Sequence, residues 1–359
     1  MKSYIQSFIH LSRYAGMRED LVQAGGGNSS LKISQDEMLI KASGFSLSEV
    51  SEDTGFVRVN PKIIADFFSS TDFKITKEAE KNLITDCVLP PPIQNNSNSI
   101  NLRPSIEVFL HSITQKYTLH THQTVVNILA STENGWETLK TLFPGSLFVD
   151  YATPGIKLAA EYFSAFKAFG KTPDVIFLKN HGLFVAGESS ESVKDRTEEI
   201  LLKIEQHLSI DMSRFHSATK IYDVTRKIPL LKDKIVFLSE HSAVKEGIKI
   251  FGSELWKWQF CPDCIVYLGK KPLVLRDDFS EQDFSTHIET YGIPAIISHK
   301  GNAYILADSV RKAKETESVL SFSAQVAIAN KNSSINSLSV EEQNFLLDWD
   351  AEKYRRNMK

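Results

Sequence analysis

The chain has 359 residues, enough for about two domains at roughly 100–200 residues each. Its 41 Lys and Arg against 44 Asp and Glu leave a net charge of −3, without the concentrated basic surplus of a nucleic-acid-binding domain. Hydrophobic residues (42%) supply ample core, yet no stretch approaches the roughly 20 apolar residues a membrane span needs. The start, Met1-Lys2-Ser3-Tyr4-Ile5-Gln6, lacks the apolar region and cleavage site of a secretory signal. Cys87, Cys261 and Cys264 are odd in number and too few for a disulfide framework. A soluble cytoplasmic enzyme or binding protein is expected, with no nucleic-acid partner and no membrane.

Along the chain, Ile5, Phe8, Ile9 and Leu11 predict an amphipathic helix over Tyr4–Tyr14, and a second short one over Arg18–Gln23. After Gly25-Gly26-Gly27, the runs Leu31–Ile33 and Met38–Ile40 read as strands around a polar turn. Helices are expected near Pro61–Ser69 and Ile75–Asp86. An irregular loop follows through Pro90-Pro91-Pro92 and Asn95–Ser99. Ser105–Gln115 reads as a helix with an apolar stripe of Ile106, Phe109, Leu110 and Ile113. Glu107, His111 and Thr114 share another side of it. Tyr117–His122 alternates like a strand, and Val175–Leu178 and Leu183–Ala186 look like strands around Asn180-His181-Gly182. Ser190–Leu208 carries a clear helical stripe.

The polar stretch 211–220 is read as a linker to a second domain. There Ile265–Leu268, Leu273–Leu275, Ala295–Ser298 and Ala303–Leu306 look like strands, Ser309–Ala329 and Ser339–Lys359 like helices, with Phe345, Trp349 and Tyr354 on the last. Cys261-Pro262-Asp263-Cys264 is a CxxC pair without a second pair to complete a zinc knuckle, so a half-buried loop is expected. No internal repeat is visible. Strands and helices alternate irregularly, which predicts a mixed α/β layer rather than a doubly wound one.

Three groups of residues invite chemistry. His120-x-His122 on a strand points both imidazoles to one face, where they can reach one metal ion. Such a pair is more often ordinary, and a third ligand is what singles it out. His181, held between two apolar strands, is the best candidate, and three histidines with an open position describe a catalytic zinc. Glu107 is read equally as a proton-transfer carboxylate beside that metal or as an ordinary acid at a helix start. His111 reads as a packed helix residue ahead of a support for the metal site. Gly25-Gly26-Gly27-Asn28-Ser29-Ser30 fits neither a dinucleotide fingerprint nor a P-loop; it is either an anion-binding turn or a plain one.

The order of these motifs resembles the class II aldolase/adducin family. Its carriers are Gly27-Asn28-Ser29-Ser30, Lys41-Ala42-Ser43-Gly44, Arg103-Pro104-Ser105-Ile106-Glu107, His120-Thr121-His122 and Asn180-His181-Gly182. They look closest to the aldolase part of bifunctional rhamnulose-1-phosphate aldolase/dehydrogenases. The resemblance implies a three-layer α/β/α domain over 1–212 with a mixed, largely antiparallel sheet. A smaller α/β domain, 213–359, would follow without a dinucleotide motif. It implies zinc held by His120, His122 and His181, with Glu107 as acid/base. The phosphate contacts it implies are Gly27, Asn28, Ser30, Ser43, Gly44 and Ser105. The implied reaction cleaves a rhamnulose- or fuculose-type ketose 1-phosphate to dihydroxyacetone phosphate and an aldehyde, in a homotetramer.

The chain departs from the family pattern in three ways. Ser105-Ile106 replaces the paired serines often found before the glutamate. Trp136–Ser146 has no counterpart of the tyrosine that protonates the aldehyde in fuculose-type aldolases. Nothing after residue 210 has a Gly-rich Rossmann turn. The alternatives within reach are a zinc epimerase or dehydratase of the same family, and a non-catalytic adducin-like binding protein. Glu107 favours aldol or dehydration chemistry over epimerisation, and the three histidines disfavour the binder.

Overall fold

A computed structural model describes residues 2–90 and 102–348, and divides the chain into two compact units, Met1–Asp211 and Met212–Lys359. The expected irregular loop beyond Pro90 and the end of the last helix, with Trp349 and Tyr354, lie outside the described residues.

In the first unit the opening apolar stripe forms α1 (Lys2–Gly16), burying Phe8, Ile9, Leu11 and Tyr14. Arg18–Gln23 is a turn, not the expected helix. The carbonyls of Asp20 and Leu21, which a helix would use internally, accept instead from Thr124 N and His122 N, both at 2.9 Å. Arg18 is fully buried against Asp20 and Glu198, which fixes that turn. Next come β1 (Asn28–Lys32), β2 (Met38–Lys41), a 3-10 turn at Leu47–Glu49, and β3 (Phe56–Val59). Strand β1 starts three residues before the apolar run because Asn28, Ser29 and Ser30 are buried strand residues despite their polarity. The helices α2 (Pro61–Ser69) and α3 (Lys77–Asp86) are capped by Asn60 and Thr76.

The expected helix over Ser105–Gln115 shrinks to one turn, α4 (Val108–His111). Ser112 Oγ donates to Phe109 O and Thr114 Oγ1 to His111 O, and such short polar side chains compete with helix propagation. Strand β4 (Tyr117–Thr121) ends just before His122. Then follow α5 (Thr124–Ala130), α6 (Glu133–Leu142), β5 (Leu147–Val149), α7 (Ile156–Phe169), β6 (Val175–Leu178), β7 (Gly182–Gly187) and α8 (Ser190–Leu208).

These strands form a seven-stranded sheet in the order β3-β2-β1-β4-β7-β6-β5, antiparallel throughout except for β5 with β6. Central strands buried at every position require cover on both faces. One helical layer contains α1, α5 and α8, and another α2, α4 and α7. The second layer closes a core of Val57, Ile64, Phe68, Phe109, Ile156 and Tyr162.

The second unit opens with α9 (Ser213–Thr225), where a linker was expected over 211–220. Phe215, Ala218, Thr219, Tyr222 and Thr225 are buried at helical spacing, a stripe whose small and polar members hide it in the sequence. After it come β8 (Ile235–Leu238), α10 (Ser242–Phe251) and a 3-10 segment, Gly252–Lys257. Ile265–Leu268 is the end of a helix, α11 (Pro262–Leu268), and not a strand. Cys261 sits at its cap, Pro262 at its first position, and the Cys261 and Cys264 sulfurs lie 3.4 Å apart. The remainder is β9 (Leu273–Leu275), α12 (Glu281–Tyr291), β10 (Ile296–His299), β11 (Asn302–Ala307), α13 (Val310–Ala329) and α14 (Val340–Asp348).

Its sheet runs β8-β11-β10-β9, again antiparallel except for one parallel pair, β9 with β10. This repeats the half-sheet β4-β7-β6-β5 of the first unit, with the same order of strands and helices along the chain. The topology is duplicated although no repeat is visible in the sequence.

Candidate active site

Three local features bring the imidazoles together. His120 is buried in β4, and its Nδ1–H donates to Leu183 O across the ladder at 3.1 Å. His122 lies one residue beyond the strand, and its backbone N–H is caught by the Arg18–Gln23 turn at Leu21 O. His181 ends the turn between β6 and β7. Asn180 adopts the left-handed conformation there (φ 54°), which asparagine tolerates better than most residues. Asn127 Nδ2 donates to His181 O at 3.1 Å and pins that turn to α5. The three ring centroids lie 4.9, 5.0 and 5.1 Å apart.

Glu107, at the start of α4, faces this cluster. Its Oε1 is 2.9 Å from His181 Nε2 and 3.3 Å from His120 Nε2, while His120 Nε2 and His122 Nε2 are 3.1 Å apart. One donor atom from each of the four residues falls within 4.8 Å of the others. Burial raises the Glu107 carboxyl, but His120 and His181 together outweigh it and hold the group well below the usual carboxylate range. Burial, helped by the charges of His120 and His181, pushes His122 down to about 3. The His120 Nδ1–H is spent on Leu183 O, which leaves the Nε2 edge of that ring turned toward His122 and Glu107. With the protons between them displaced, one atom from each of these four side chains could meet at a cation, and imidazole with carboxylate suits a divalent transition metal.

The expected phosphate contacts divide into two groups. Asn28 Nδ2 donates to Glu107 Oε2 and lies 3.2 Å from Ser105 Oγ, so these three side chains are together. Ala42 bridges Pro104, and Ser43 N–H donates to Arg103 O at 2.7 Å, which brings the exposed Ser43–Gly44 loop alongside Ser105. Gly27 is left-handed (φ 70°), and a Cβ there would stand 2.8 Å from His120 O, so this turn carries no side chain. Ser30 does not join them. Its fully buried hydroxyl is 2.7 Å from His111 Nδ1 and is committed to that ring.

Two residues outside the expected set are bonded to the groups around this cluster. Lys41 is buried, which lowers its pKa, and its Nζ donates to Gly25 O at 3.3 Å and to Phe45 O, tying the glycine turn to the loop after β2. Its signal was the place it holds in Lys41-Ala42-Ser43-Gly44. His111, read as packing ahead of a support for the metal site, is bonded at both ring nitrogens, to Ser30 and Asn28. Burial pushes it down to about 3. Its position one helical turn after Glu107 was the available clue.

The model of the Class II Aldolase and Adducin N-terminal domain matches residues 6–207, more than half of the chain. The chain belongs to this family. Its first unit accordingly has the class II aldolase-like α/β fold, with a His/Glu cluster able to hold a metal. Among curated proteins the chain is similar to the "Uncharacterized oxidoreductase YuxG" of Bacillus subtilis (strain 168), at 23% identity over 244 residues. That match covers 64% of this chain, which spans only 32% of the relative's length. Among solved structures it is similar to the N-terminal class II aldolase domain of a conserved protein from Thermoplasma acidophilum. There the identity is 26%, the coverage 58% of this chain and 95% of that one, and the TM-score 0.49. The L-fuculose-1-phosphate aldolase from Thermus thermophilus is a more distant likeness, with 13% identity, 58% and 96% coverage and a TM-score of 0.37. No helix among the described residues is long and apolar enough to cross a membrane.

Proposed function

We propose that the protein is a zinc-dependent aldolase that cleaves a rhamnulose- or fuculose-type ketose 1-phosphate to dihydroxyacetone phosphate and an aldehyde. The observation carrying this reading is the convergence of His120, His122, His181 and Glu107 beside Asn28, Ser105 and the Ser43–Gly44 loop. His120, His122 and His181 would hold the zinc. Bound there, zinc supplies a Lewis acid for the negative charge that carbon–carbon cleavage leaves on the keto fragment. Glu107, kept ionised by its histidine neighbours, takes a proton and returns it to the reacting carbon. Gly27, the exposed Ser43 hydroxyl, Gly44 and Ser105 line the anchoring side for the phosphate, so that remote binding energy orients the bond to be broken.

The test is a coupled assay for dihydroxyacetone phosphate on zinc-loaded protein, with rhamnulose 1-phosphate and fuculose 1-phosphate as substrates. Glu107→Gln should lower turnover by roughly 10²–10⁴-fold, the usual range for losing general acid–base catalysis. Failure of the zinc-loaded wild type to release dihydroxyacetone phosphate from either sugar would sink the aldolase reading. An isomerised or dehydrated product would point to the family's other chemistries.

A further inference from the structure

Behind Glu107 runs a buried chain of side chains whose hydrogen bonds have one consistent direction when Glu107 is ionised and His111 neutral. The Asn28 carboxamide lies between Glu107 and His111, with one end against Glu107 Oε2 and the other against His111 Nε2. An ionised carboxylate can only accept, so the end that meets it is the amide nitrogen. The amide oxygen therefore faces His111 and also only accepts, which requires the His111 proton to sit on Nε2. A neutral imidazole carries one N–H, so Nδ1 is bare and accepts from the Ser30 hydroxyl 2.7 Å away. His111, Asn28 and Ser30 are each no more than 1% exposed, so bulk water cannot replace any member. Phe184 holds both ends of the arrangement, stacking on His120 at 4.1 Å and tilting against His111 at 5.1 Å.

We propose that His111 is a positioning residue: through its Nε2–H it fixes the Asn28 carboxamide, and through Asn28 it holds Glu107 with Oε1 facing His120 and His181. The terminal torsion of an asparagine is broad and roughly two-fold, so without a partner on its oxygen the amide can turn over. Turned over, it would set an oxygen against the carboxylate and release it from its place. The proposal rests on Glu107 being the proton shuttle, but the direction of the hydrogen-bond chain does not.

Three readouts on the full chain test it. Long-range proton–nitrogen NMR of histidine-labelled wild type should report the Nε2–H tautomer for His111, whether or not a substrate is known. His111→Phe keeps an aromatic ring against Phe184 but removes both hydrogen bonds. It should keep its zinc content, alter the visible spectrum of the cobalt(II)-loaded protein, and lower kcat on the ketose 1-phosphate by about 10–100-fold with KM little changed, as losses of supporting hydrogen bonds around metal sites do. His111→Gln offers one donor and one acceptor and should restore part of both the spectrum and kcat. An Nδ1–H tautomer would overturn the proposal. So would a His111→Phe protein with wild-type spectrum and kcat, or, should that variant not fold, a His111→Gln protein no different from one carrying His111→Leu. If the wild type turns over no ketose 1-phosphate, the aldolase reading fails, while the tautomer and the cobalt spectra still decide this one.

Discussion

Residues 117–208 and 235–329 run through the same succession of strands and helices, and their ladders can be laid on one another pair by pair. His120 pairs with Phe184 and Tyr117 with Gly187; in the second unit Leu238 pairs with Tyr304 and Ile235 with Ala307. On that register Leu238 occupies the place of His120, Ser239 that of Thr121, and Glu240 that of His122. The hairpin turn is three residues in the first unit, Lys179-Asn180-His181, and two in the second, Lys300-Gly301, so His181 has no counterpart. Both turns use the left-handed region, at Asn180 (φ 54°) and at Lys300 (φ 50°). Glu240 is held by Arg214 at 3.1 Å and Lys245 at 2.8 Å instead of facing a histidine cluster. What repeats is apolar spacing and serine-capped helices, at Ser189 and Ser309, which build the layer. What does not repeat is the set of polar residues at one end of it, and the proposed chemistry rests on those.

The largest expected effect separates the two copies directly. His181→Ala should remove stoichiometric zinc, measured by elemental analysis, and reduce activity to background while the protein still folds, because the ring is not part of the apolar core. Full zinc occupancy in that variant would show that the third ligand has been misassigned. Leu238→Ala, at the His120 position of the second copy, should leave zinc content unchanged. It should lower stability by about 2–5 kcal/mol on denaturant melting, the usual range for emptying a buried leucine site. A change in zinc content with Leu238→Ala would break the division of labour between the copies.

A smaller effect concerns pH. Burial holds His111 near 3 in the folded protein, whereas its ordinary value is 6.5. Between those values the unfolded chain binds a proton that the native state refuses, so stability should fall as the pH falls through that window. The slope from this one group is at most about 1.4 kcal/mol per pH unit. Denaturant melts of metal-free protein across the window should be steeper in pH for wild type than for His111→Phe. Burial also lowers His287 and His299 in the second copy, and comparison with the variant removes their share. Equal slopes would mean that His111 is charged or already protonated in the native state.

The smallest expected effect is none at all. The double change Leu238→His and Glu240→His copies the His120-x-His122 pair into the second unit, yet zinc should stay at about one per chain, because three protein ligands are the minimum of a stable site. The two-residue turn supplies no third imidazole. A second tightly bound zinc, detected by titration, would show that the turn is not what separates the copies.

Much of the candidate site was legible because its histidines sit in short, characteristic runs. His120-Thr121-His122 lies at the end of an alternating strand and Asn180-His181-Gly182 between two apolar ones, and such spacing survives in one dimension. The long helices α8 and α13 were legible for the same reason, since their stripes are continuous. The errors fell where tertiary partners overrule local preference. Arg18–Gln23 has helical residues, but its carbonyls serve His122 and Thr124. Ile265–Leu268 has the residues of a strand, but Pro262 starts a helix and Leu268 and Cys264 are buried with it. Residues 211–220 read as a linker because the buried face of the helix starting at Ser213 mixes Ala218, Thr219 and Thr225 with its larger apolar residues.

By itself, the sequence determined the family, the mixed α/β class and the identity of the imidazoles, because motif order and apolar period are local properties of a chain. Only the tertiary structure decided which polar groups are spent on one another. Ser30, expected at a phosphate, is bonded to His111, Asn28 turns its amide to Glu107, and Lys41 knots two loops together. Only the tertiary structure revealed the duplicated half-sheet, since strand order and register are set by pairing between residues far apart in sequence. Hydrogen bonds of buried groups are likewise choices among many partners, and burial without water leaves only the mutually consistent set.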